Sequence, residues 1–152
     1  MTEAAKSPGG AFDGDRHVCP VRVYYEDTDA GGVVYYANYF KFAERARTEM
    51  MRALGIESGR LMSEDGIALA VRHCEADFMK PARLDDLLTV STRLLGIGGA
   101  SVTVEQTIAR NGAALVKITI RLACMALAGG AARMPDGLRA ILDKFCITKE
   151  QV

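Results

Sequence analysis

The chain has 152 residues, a length that suits one domain, and 49% of them are hydrophobic, which excludes a disordered or fibrous protein. Its 19 basic and 19 acidic side chains give a formal net charge of +0, so no long-range field gathers nucleic acid or an anionic membrane. An anionic ligand would therefore have to be held by a local pocket.

The chain is predicted to be one domain over residues 17–146, between a mobile N-terminal tail (1–16) and a C-terminal tail (147–152). The first tail is rich in Gly, Ala and charge, and contains no apolar run of the kind that a secretory signal needs. The four cysteines form no CxxC pair, which argues against a zinc site or a disulfide framework and favours buried free thiols. A cytoplasmic protein is expected.

A first strand is predicted from Val18, where β-forming residues begin, and a turn at residues 27–32 (DTDAGG). A long helix is predicted over residues 37–54, with Asn38 as N-cap and Gly55 at its end. Its apolar residues recur at i, i+3, i+4 and i+7, which makes one stripe for burial: Tyr39, Phe42, Ala43, Ala46, Met50, Ala53 and Leu54.

The second half of the chain is predicted to be mostly strand. Residues 67–79 form one long candidate, and alternating apolar and polar residues mark three more, near residues 88–94, 102–108 and 116–124. Asn111-Gly112 is a strong hairpin signal, and a short amphipathic helix is predicted near residues 137–146. A helix with one apolar stripe and a meander with one apolar face predict an α+β domain, the helix packed against an antiparallel sheet.

The chemically informative segment contains three carboxylates within four positions, Glu26, Asp27 and Asp29. Two glycines follow and let a ligand approach the backbone, and the helix begins a few residues later with unpaired N–H groups. A carboxylate that activates water or attacks, beside N–H donors that stabilise an oxyanion, is a pairing suited to acyl transfer.

A site with a single carboxylate favours a thioester as substrate over a bond whose leaving group must be protonated by an acid. A thiol has a pKa of about 8.5, so a thiolate can leave without being protonated. A glycoside would require a partnered acid.

The motif YEDTDAGGVVY (residues 25–35), with its continuation through Asn38-Tyr39 and residues 44–49, resembles one known family. Together with PARLDD at residues 81–86, it resembles the hydroxybenzoyl-CoA/YbgC-type acyl-CoA thioesterases of the hotdog fold. The resemblance covers roughly residues 18–128. It implies an antiparallel sheet wrapped around one long helix, and a homodimer or homotetramer with active sites at subunit interfaces.

The same resemblance implies the roles of individual residues. Asp29 is the expected catalytic carboxylate, as general base or nucleophile, and the backbone N–H of Tyr36 is expected to polarise the thioester carbonyl. N–H groups of residues 32–36 are expected to hold the oxyanion. The substrate contacts expected for an acyl-CoA are Gly32, Val33, Arg72, Lys80, Arg83 and Ser101. No metal or redox cofactor is implied.

Two departures from the family pattern affect the substrate. Tyr36 stands where the YbgC-like branch usually has His, although the aromatic-CoA branch can carry Tyr there. Gly98 stands where a basic residue often lies near the CoA phosphates, and Lys80 is a candidate substitute. Acyl chain length, aromatic or aliphatic preference, and CoA or acyl carrier protein as carrier stay open.

Three alternatives remain beside the thioesterase. The aspartates could be ordinary turn residues, as Asp commonly is. A hydratase or dehydratase on the same fold would need a catalytic His, and neither His17 nor His73 lies in the DTDAGG segment. A non-catalytic acyl-CoA-binding module is disfavoured by the intact aspartate motif but stays open because Tyr36 stands in place of His.

Overall fold

The computed structural model describes residues 9–146, which form a six-stranded antiparallel sheet with a long helix packed on one face. The α+β prediction is confirmed, and the predicted tail segments 1–8 and 147–152 lie outside the described residues. The strands are β1 (Ala11–Asp13), β2 (Arg16–Arg22), β3 (Ile67–Phe78), β4 (Leu87–Ile97), β5 (Ser101–Arg110) and β6 (Ala113–Ala126), in the order β1-β2-β4-β5-β6-β3. The helices are α1 (Tyr36–Ala53) and α2 (Asp136–Asp143), with helical turns at Tyr25–Asp27, Ser58–Arg60 and Leu61–Asp65.

The regular structure begins before residue 17, the predicted start of the domain. Strand β1 pairs with β2 in a short hairpin that turns at Gly14, whose φ of 65° favours glycine. Phe12 on β1 packs against the ring of His17 and stacks on Phe145. A strand of three residues is too short to show a hydrophobic period, so the pattern of the sequence could not reveal it.

Helix α1 buries most of the predicted stripe, with Tyr39, Phe42, Ala43, Ala46 and Met50 turned to the sheet, whereas Ala53 is exposed and Leu54 lies half-buried just beyond the helix. It begins one residue earlier than predicted, and Tyr35 occupies the cap position, so the Asn38 cap was wrong. The side chain of Asn38 instead donates to the carbonyl of Asp27 at 2.8 Å. No helix in the described part of the chain is long and apolar enough to cross a membrane.

The two faces of the sheet differ sharply in polarity. The face under α1 is apolar and buried, as at Leu88, Val90, Val104 and Ile118. The opposite face alternates with it and is polar, and its Arg93 and Glu105 form an ion pair at 2.7 Å. Other residues of this outer face are Thr89, Ser91, Thr107, Lys117 and Thr119. Such a face tolerates water and needs no apolar cover.

Strand β3 is an exposed edge. It pairs with β6 on one side only, and its residues 70–75 are all exposed. Helix α1 packs mainly over β2, β4 and β5, so the β3 margin of the apolar face is left open. Val71 is 53% and Phe78 48% exposed. A long exposed edge with apolar side chains is a surface that proteins normally cover.

Candidate active site

Asp29 sits in a tight turn that presents its carboxylate at the surface. Its backbone N–H donates to Val33 O at 2.9 Å, and the Gly32 N–H donates back to Asp29 O at 3.0 Å. The Gly31 N–H donates to Asp29 Oδ1 at 2.8 Å, while Oδ2 accepts no hydrogen bond from residues 9–146. Gly32 has φ of 82°, which explains the second glycine. The turn therefore holds one carboxylate oxygen and leaves the other available to water or substrate.

Asp27 has a structural role in the same motif. It is 3% exposed, and its Oδ2 accepts the Tyr24 N–H at 2.8 Å. Its carbonyl accepts the Tyr35 N–H at 3.0 Å and the Asn38 side-chain amide at 2.8 Å. Asp27 thus fixes where α1 begins relative to the turn, whereas the third carboxylate, Glu26, is exposed.

The N–H groups expected to hold an oxyanion are mostly occupied. Gly32 and Tyr35 donate to backbone carbonyls within the loop, and Val34 donates to the carbonyl of Ala82, so these three N–H groups already have acceptors in the fold. The N–H of Tyr36, the first residue of α1, meets no acceptor in residues 9–146. A first-turn N–H without an intrahelical partner carries positive partial charge, which suits an oxyanion.

The 81–86 segment is tied to the Asp29 turn through Ala82. The Ala82 N–H donates to the hydroxyl of Tyr39 at 2.9 Å, and its carbonyl accepts the Val34 N–H at 2.9 Å. Val33 forms an antiparallel bridge with Arg83, which therefore lies beside the turn. Lys80 is exposed and directly precedes this segment. Both basic residues therefore lie at the Asp29 end of the molecule.

An aromatic cluster around Phe78 joins the end of β3 to the start of α1. The Phe78 ring lies 6.1 Å from Tyr36, 5.9 Å from Tyr39 and 6.1 Å from Phe40, between ring centroids. Tyr36 remains 57% exposed beside it. Phe78 was not among the predicted site residues, and its signal in the sequence is an aromatic residue that ends a strand just before the 81–86 segment.

Arg72 and Ser101 lie at the opposite end of the sheet. Phe78 pairs with Val116 on β6, whereas Ser101 pairs with Ala123, seven residues farther along that strand. At about 3.3 Å per residue the two rows are ~23 Å apart. Arg72 is the bulged residue between Val71 and His73 on the exposed edge. Within one subunit, the predicted site is therefore split: Asp29, Gly32, Val33, Tyr36, Lys80 and Arg83 at one end, Arg72 and Ser101 at the other.

A cavity of about 300 Å³ opens at that second end, between the C-terminal half of α1 and strands β3, β5 and β6. Its walls are mainly aliphatic and methionine side chains, with Arg47 among them. The cavity faces the open β3 margin, and its volume is at the small end of the range for ligand pockets.

Asp86 stabilises the 81–86 segment through two hydrogen bonds that its carboxylate accepts. Its Oδ2 accepts the Arg83 N–H at 2.8 Å and Nη1 of Arg110 at 2.6 Å. Burial alone would raise the pKa of this carboxyl, but the Arg83 hydrogen bond and the Arg110 guanidinium together hold it below its usual value. The charged carboxylate is therefore the form that the fold favours.

The Asp86→Asn variant should unfold more easily than the unmodified protein at pH 7, by about 1–2 kcal/mol, because a charge-assisted hydrogen bond is lost. Because the folded pKa is lowered, this stabilisation is present above the unfolded pKa of about 3.9 and is lost as pH falls through the folded value. Urea denaturation from pH 7 to pH 3 checks this. A stability difference that stays constant over that range would contradict the role of the charge.

The comparisons with known sequences identify the family. The sequence model of the Thioesterase superfamily matches residues 31–117. The acyl-CoA thioesterase YbgC of Haemophilus influenzae is 48% identical over 108 residues, which are 71% of this chain and 79% of that protein. The acyl-CoA thioester hydrolase YbgC of Escherichia coli O6:H1 is 51% identical over 89 residues, 59% of this chain and 66% of that protein.

Solved structures agree with the sequence comparisons. A probable thioesterase from Bartonella henselae superposes with a TM-score of 0.76 at 38% identity, over 79% of this chain and 99% of that one. The hypothetical protein TT1821 from Thermus thermophilus superposes with a TM-score of 0.80 at 26% identity, over 84% of this chain and 98% of that one. With the observed sheet order and helix, these matches confirm the hotdog fold.

Proposed function

The chain belongs to the thioesterase superfamily, and we propose that it hydrolyses acyl-CoA thioesters with Asp29 as its catalytic carboxylate. The observation that carries the proposal is an exposed Asp29 whose Oδ2 accepts no hydrogen bond from residues 9–146, a few residues before Tyr36, whose N–H meets no acceptor in that part of the chain. The relatives from H. influenzae and E. coli are named for thioester hydrolysis, and this supports the same reaction here.

In the proposed reaction the thioester carbonyl oxygen accepts the Tyr36 N–H, which stabilises the negative charge that develops on it. Asp29 either removes a proton from water, which attacks the carbonyl carbon, or attacks the carbon itself and is freed when water hydrolyses the mixed anhydride. Either way the C–S bond breaks and a C–O bond to water oxygen forms. The thiolate of CoA leaves and takes up a proton from solution, and a proton taken up by Asp29 returns to solution, so no second acid is required.

The test is release of CoA thiol from a panel of acyl- and aroyl-CoA thioesters. Hydrolysis predicts one free thiol per acid released. A non-catalytic binding module would bind the thioester without releasing thiol, and a hydratase would add water to an enoyl-CoA with its C–S bond intact. Thiol release from none of the thioesters would overturn the proposal.

We propose that two copies pair through their β3 edges to form a homodimer. The exposed β3 backbone can continue the sheet into a partner, and its apolar Val71 and Phe78 would be covered. An antiparallel pairing centred near Cys74 puts the Phe78 end of one β3 beside the Val71 end of the other. The polar outer face offers no comparable surface, so a dimer is favoured over a back-to-back tetramer.

This dimer reunites the two halves of the predicted site. Asp29, Tyr36, Lys80 and Arg83 of one subunit would face Arg72 and Ser101 of the partner subunit. Substrate binding would then depend on assembly, because neither subunit alone presents the whole set. Arg72 suits this role because it lies at a bulge, a feature that commonly redirects a side chain out of the regular ladder.

We place the enzyme in the cytoplasm. Cys19 and Cys124 are buried free thiols, which suits a reducing compartment, although Cys74 is exposed and not buried as predicted.

The Lys80→Ala variant is expected to raise KM for an acyl-CoA about 3- to 10-fold with kcat nearly unchanged, since a phosphate contact is equal in ground and transition states. The effect should shrink with a pantetheine thioester, which lacks the nucleotide phosphates. Lys117→Ala on the outer face removes the same charge and serves as control. If Lys80→Ala weakens both substrates alike, or neither, the phosphates are held elsewhere.

A further inference from the structure

Arg47 is a cation in an otherwise mainly apolar cavity. It projects from α1 into the roughly 300 Å³ space at the Ser101 end of the sheet. Ten of the fourteen lining residues are apolar, among them Met50, Met51, Leu69, Val71, Val102 and Val104. Burial lowers the pKa of Arg47, and the nearby Glu44 and Cys74 act in the opposite direction. A guanidinium nevertheless stays protonated in proteins, so the cavity carries a fixed positive charge.

A buried amide holds this guanidinium in place. Nη1 of Arg47 donates to Oε1 of Gln106 at 2.9 Å. Nε2 of Gln106 donates to the carbonyl of Ala43 and to Oγ1 of Thr92, each at 2.9 Å. Both donors of the amide are used, and Gln106 is 0% and Thr92 1% exposed. The amide cannot turn over without losing these bonds, so it fixes one edge of the Arg47 head.

The remaining donors of Arg47 have no acceptor in residues 9–146. A guanidinium has five N–H donors in a planar fork that matches a carboxylate, and Gln106 occupies one of them. Glu44 lines the same cavity but is exposed, and no ion pair joins it to Arg47. A partly desolvated cation with unused donors attracts an anionic group at the end of an otherwise apolar ligand.

The position of Arg47 relative to Asp29 fixes which site it serves. Arg47 lies eleven residues beyond Tyr36 on α1, about 16 Å along the axis at 1.5 Å per residue. It is therefore distant from the Asp29 end of its own subunit. The cavity lies beside Val71, and the proposed β3 pairing puts Val71 next to Phe78 of the partner subunit. The open side of the cavity would then meet the Asp29 turn of the other copy.

We propose that Arg47 of one subunit binds the far end of the acyl group whose thioester is cleaved at Asp29 of the partner subunit, and selects acyl chains that end in a carboxylate. The substrate class is then the CoA monothioesters of dicarboxylic acids, whose methylenes would lie along the aliphatic walls. This inference rests on the proposed hydrolysis and on the β3 dimer, and it names the substrate class of that site.

The first test compares adipoyl-CoA with hexanoyl-CoA, which share a chain length and differ in the terminal carboxylate. The unmodified enzyme should have a kcat/KM for adipoyl-CoA at least tenfold higher, and adipate should inhibit more strongly than hexanoate. Arg47→Gln and Arg47→Met should lower the adipoyl-to-hexanoyl ratio about 10- to 100-fold, the range expected for a charged hydrogen bond. A preference of the unmodified enzyme for hexanoyl-CoA would overturn the inference, and needs no variant.

Arg45→Gln is the matched control, because Arg45 carries the same charge on the exposed side of the same helix. Its ratio should equal that of the unmodified enzyme. If Arg45→Gln lowers the adipoyl-to-hexanoyl ratio as much as Arg47→Gln does, the effect comes from positive charge on the helix in general, and the Arg47 site is refuted. Absence of thiol release from both substrates would instead contradict the proposed function itself.

The second test places the two residues on different subunits. Asp29→Asn and Arg47→Gln chains carrying different tags are co-expressed, and the mixed dimer is isolated. If the site is shared, the mixed dimer contains one intact pair, Asp29 from one chain and Arg47 from the other, and hydrolyses adipoyl-CoA at about half the unmodified rate. If its adipoyl-to-hexanoyl ratio stays at the Arg47→Gln value, Arg47 does not act across the interface.

Discussion

Replacing Asp29 by Asn is expected to lower kcat for thioester hydrolysis by about 10³- to 10⁴-fold while the fold is kept. The amide oxygen of Asn can still accept the Gly31 N–H that Asp29 Oδ1 accepts at 2.8 Å, so the turn retains its geometry. The amide cannot take a proton from water or attack a carbonyl carbon. The loss should fall on kcat, because the carboxylate acts in the transition state more than in binding.

Glu26→Gln is the control for this experiment, since Glu26 is an exposed carboxylate in the same motif. Its kcat should remain within about threefold of the unmodified enzyme, as for a residue without a role in the transition state. Circular dichroism and melting temperature check that both variants fold. Equal activity of Asp29→Asn and the unmodified protein would remove Asp29 from the mechanism. Labelled oxygen found in Asp29 after a single turnover in H₂¹⁸O would favour direct attack over general-base catalysis.

The local part of the site could be predicted because its chemistry is contiguous in sequence. The Asp29 turn, its glycines and the start of α1 lie within about ten residues, and short-range turn and helix signals suffice for them. The distinction between Asp27 and Asp29 needed the structure, since both are turn aspartates. Only the hydrogen bonds show that the Asp27 carboxylate is used to hold the loop, whereas the Asp29 carboxylate lies at the surface with one oxygen held by the turn.

The part of the site at the Ser101 end of the sheet could not be predicted, because its residues are far apart in the sequence. Arg47 and Gln106 meet across 59 positions, and their contact depends on how α1 lies over β5. Arg72 and Ser101 were assigned to the site by resemblance, but their placement ~23 Å from the Asp29 end follows only from strand register. Register, unlike a turn, is set by pairing between segments far apart in the chain.

The exposure of Cys74 follows from the position of β3 at the edge of the sheet, which the sequence does not reveal. Strand β3 was predicted from a long run of strand-forming residues, which cannot separate a central strand from an edge, and the Cys74 thiol was expected to be buried. In the sheet order β3 is outermost, and Cys74 in the middle of it is exposed. In the proposed dimer this residue lies near the two-fold axis, opposite its own copy.

Cys74→Lys is therefore expected to separate the dimer and to abolish most of the thioesterase activity. Two lysines would face each other across the axis, with Arg47 adding positive charge nearby, and like charges juxtaposed at an interface cost several kcal/mol. The dimer dissociation constant should rise by about 100-fold or more. In the proposed dimer, Arg72, Ser101 and the Arg47 cavity would reach Asp29 only from the other subunit, so kcat/KM should fall with the fraction of dimer.

Light scattering and thiol release over a protein concentration series check this, with Cys74→Ser as the variant that keeps the dimer. Thr119→Lys adds the same charge to the polar outer face and should change neither mass nor activity. If Thr119→Lys halves the mass, the outer face is an interface and the assembly is a tetramer. If Cys74→Lys is monomeric, folded by circular dichroism and fully active, then one subunit contains the complete site. The split of the site between the two ends of the sheet would then have no catalytic consequence.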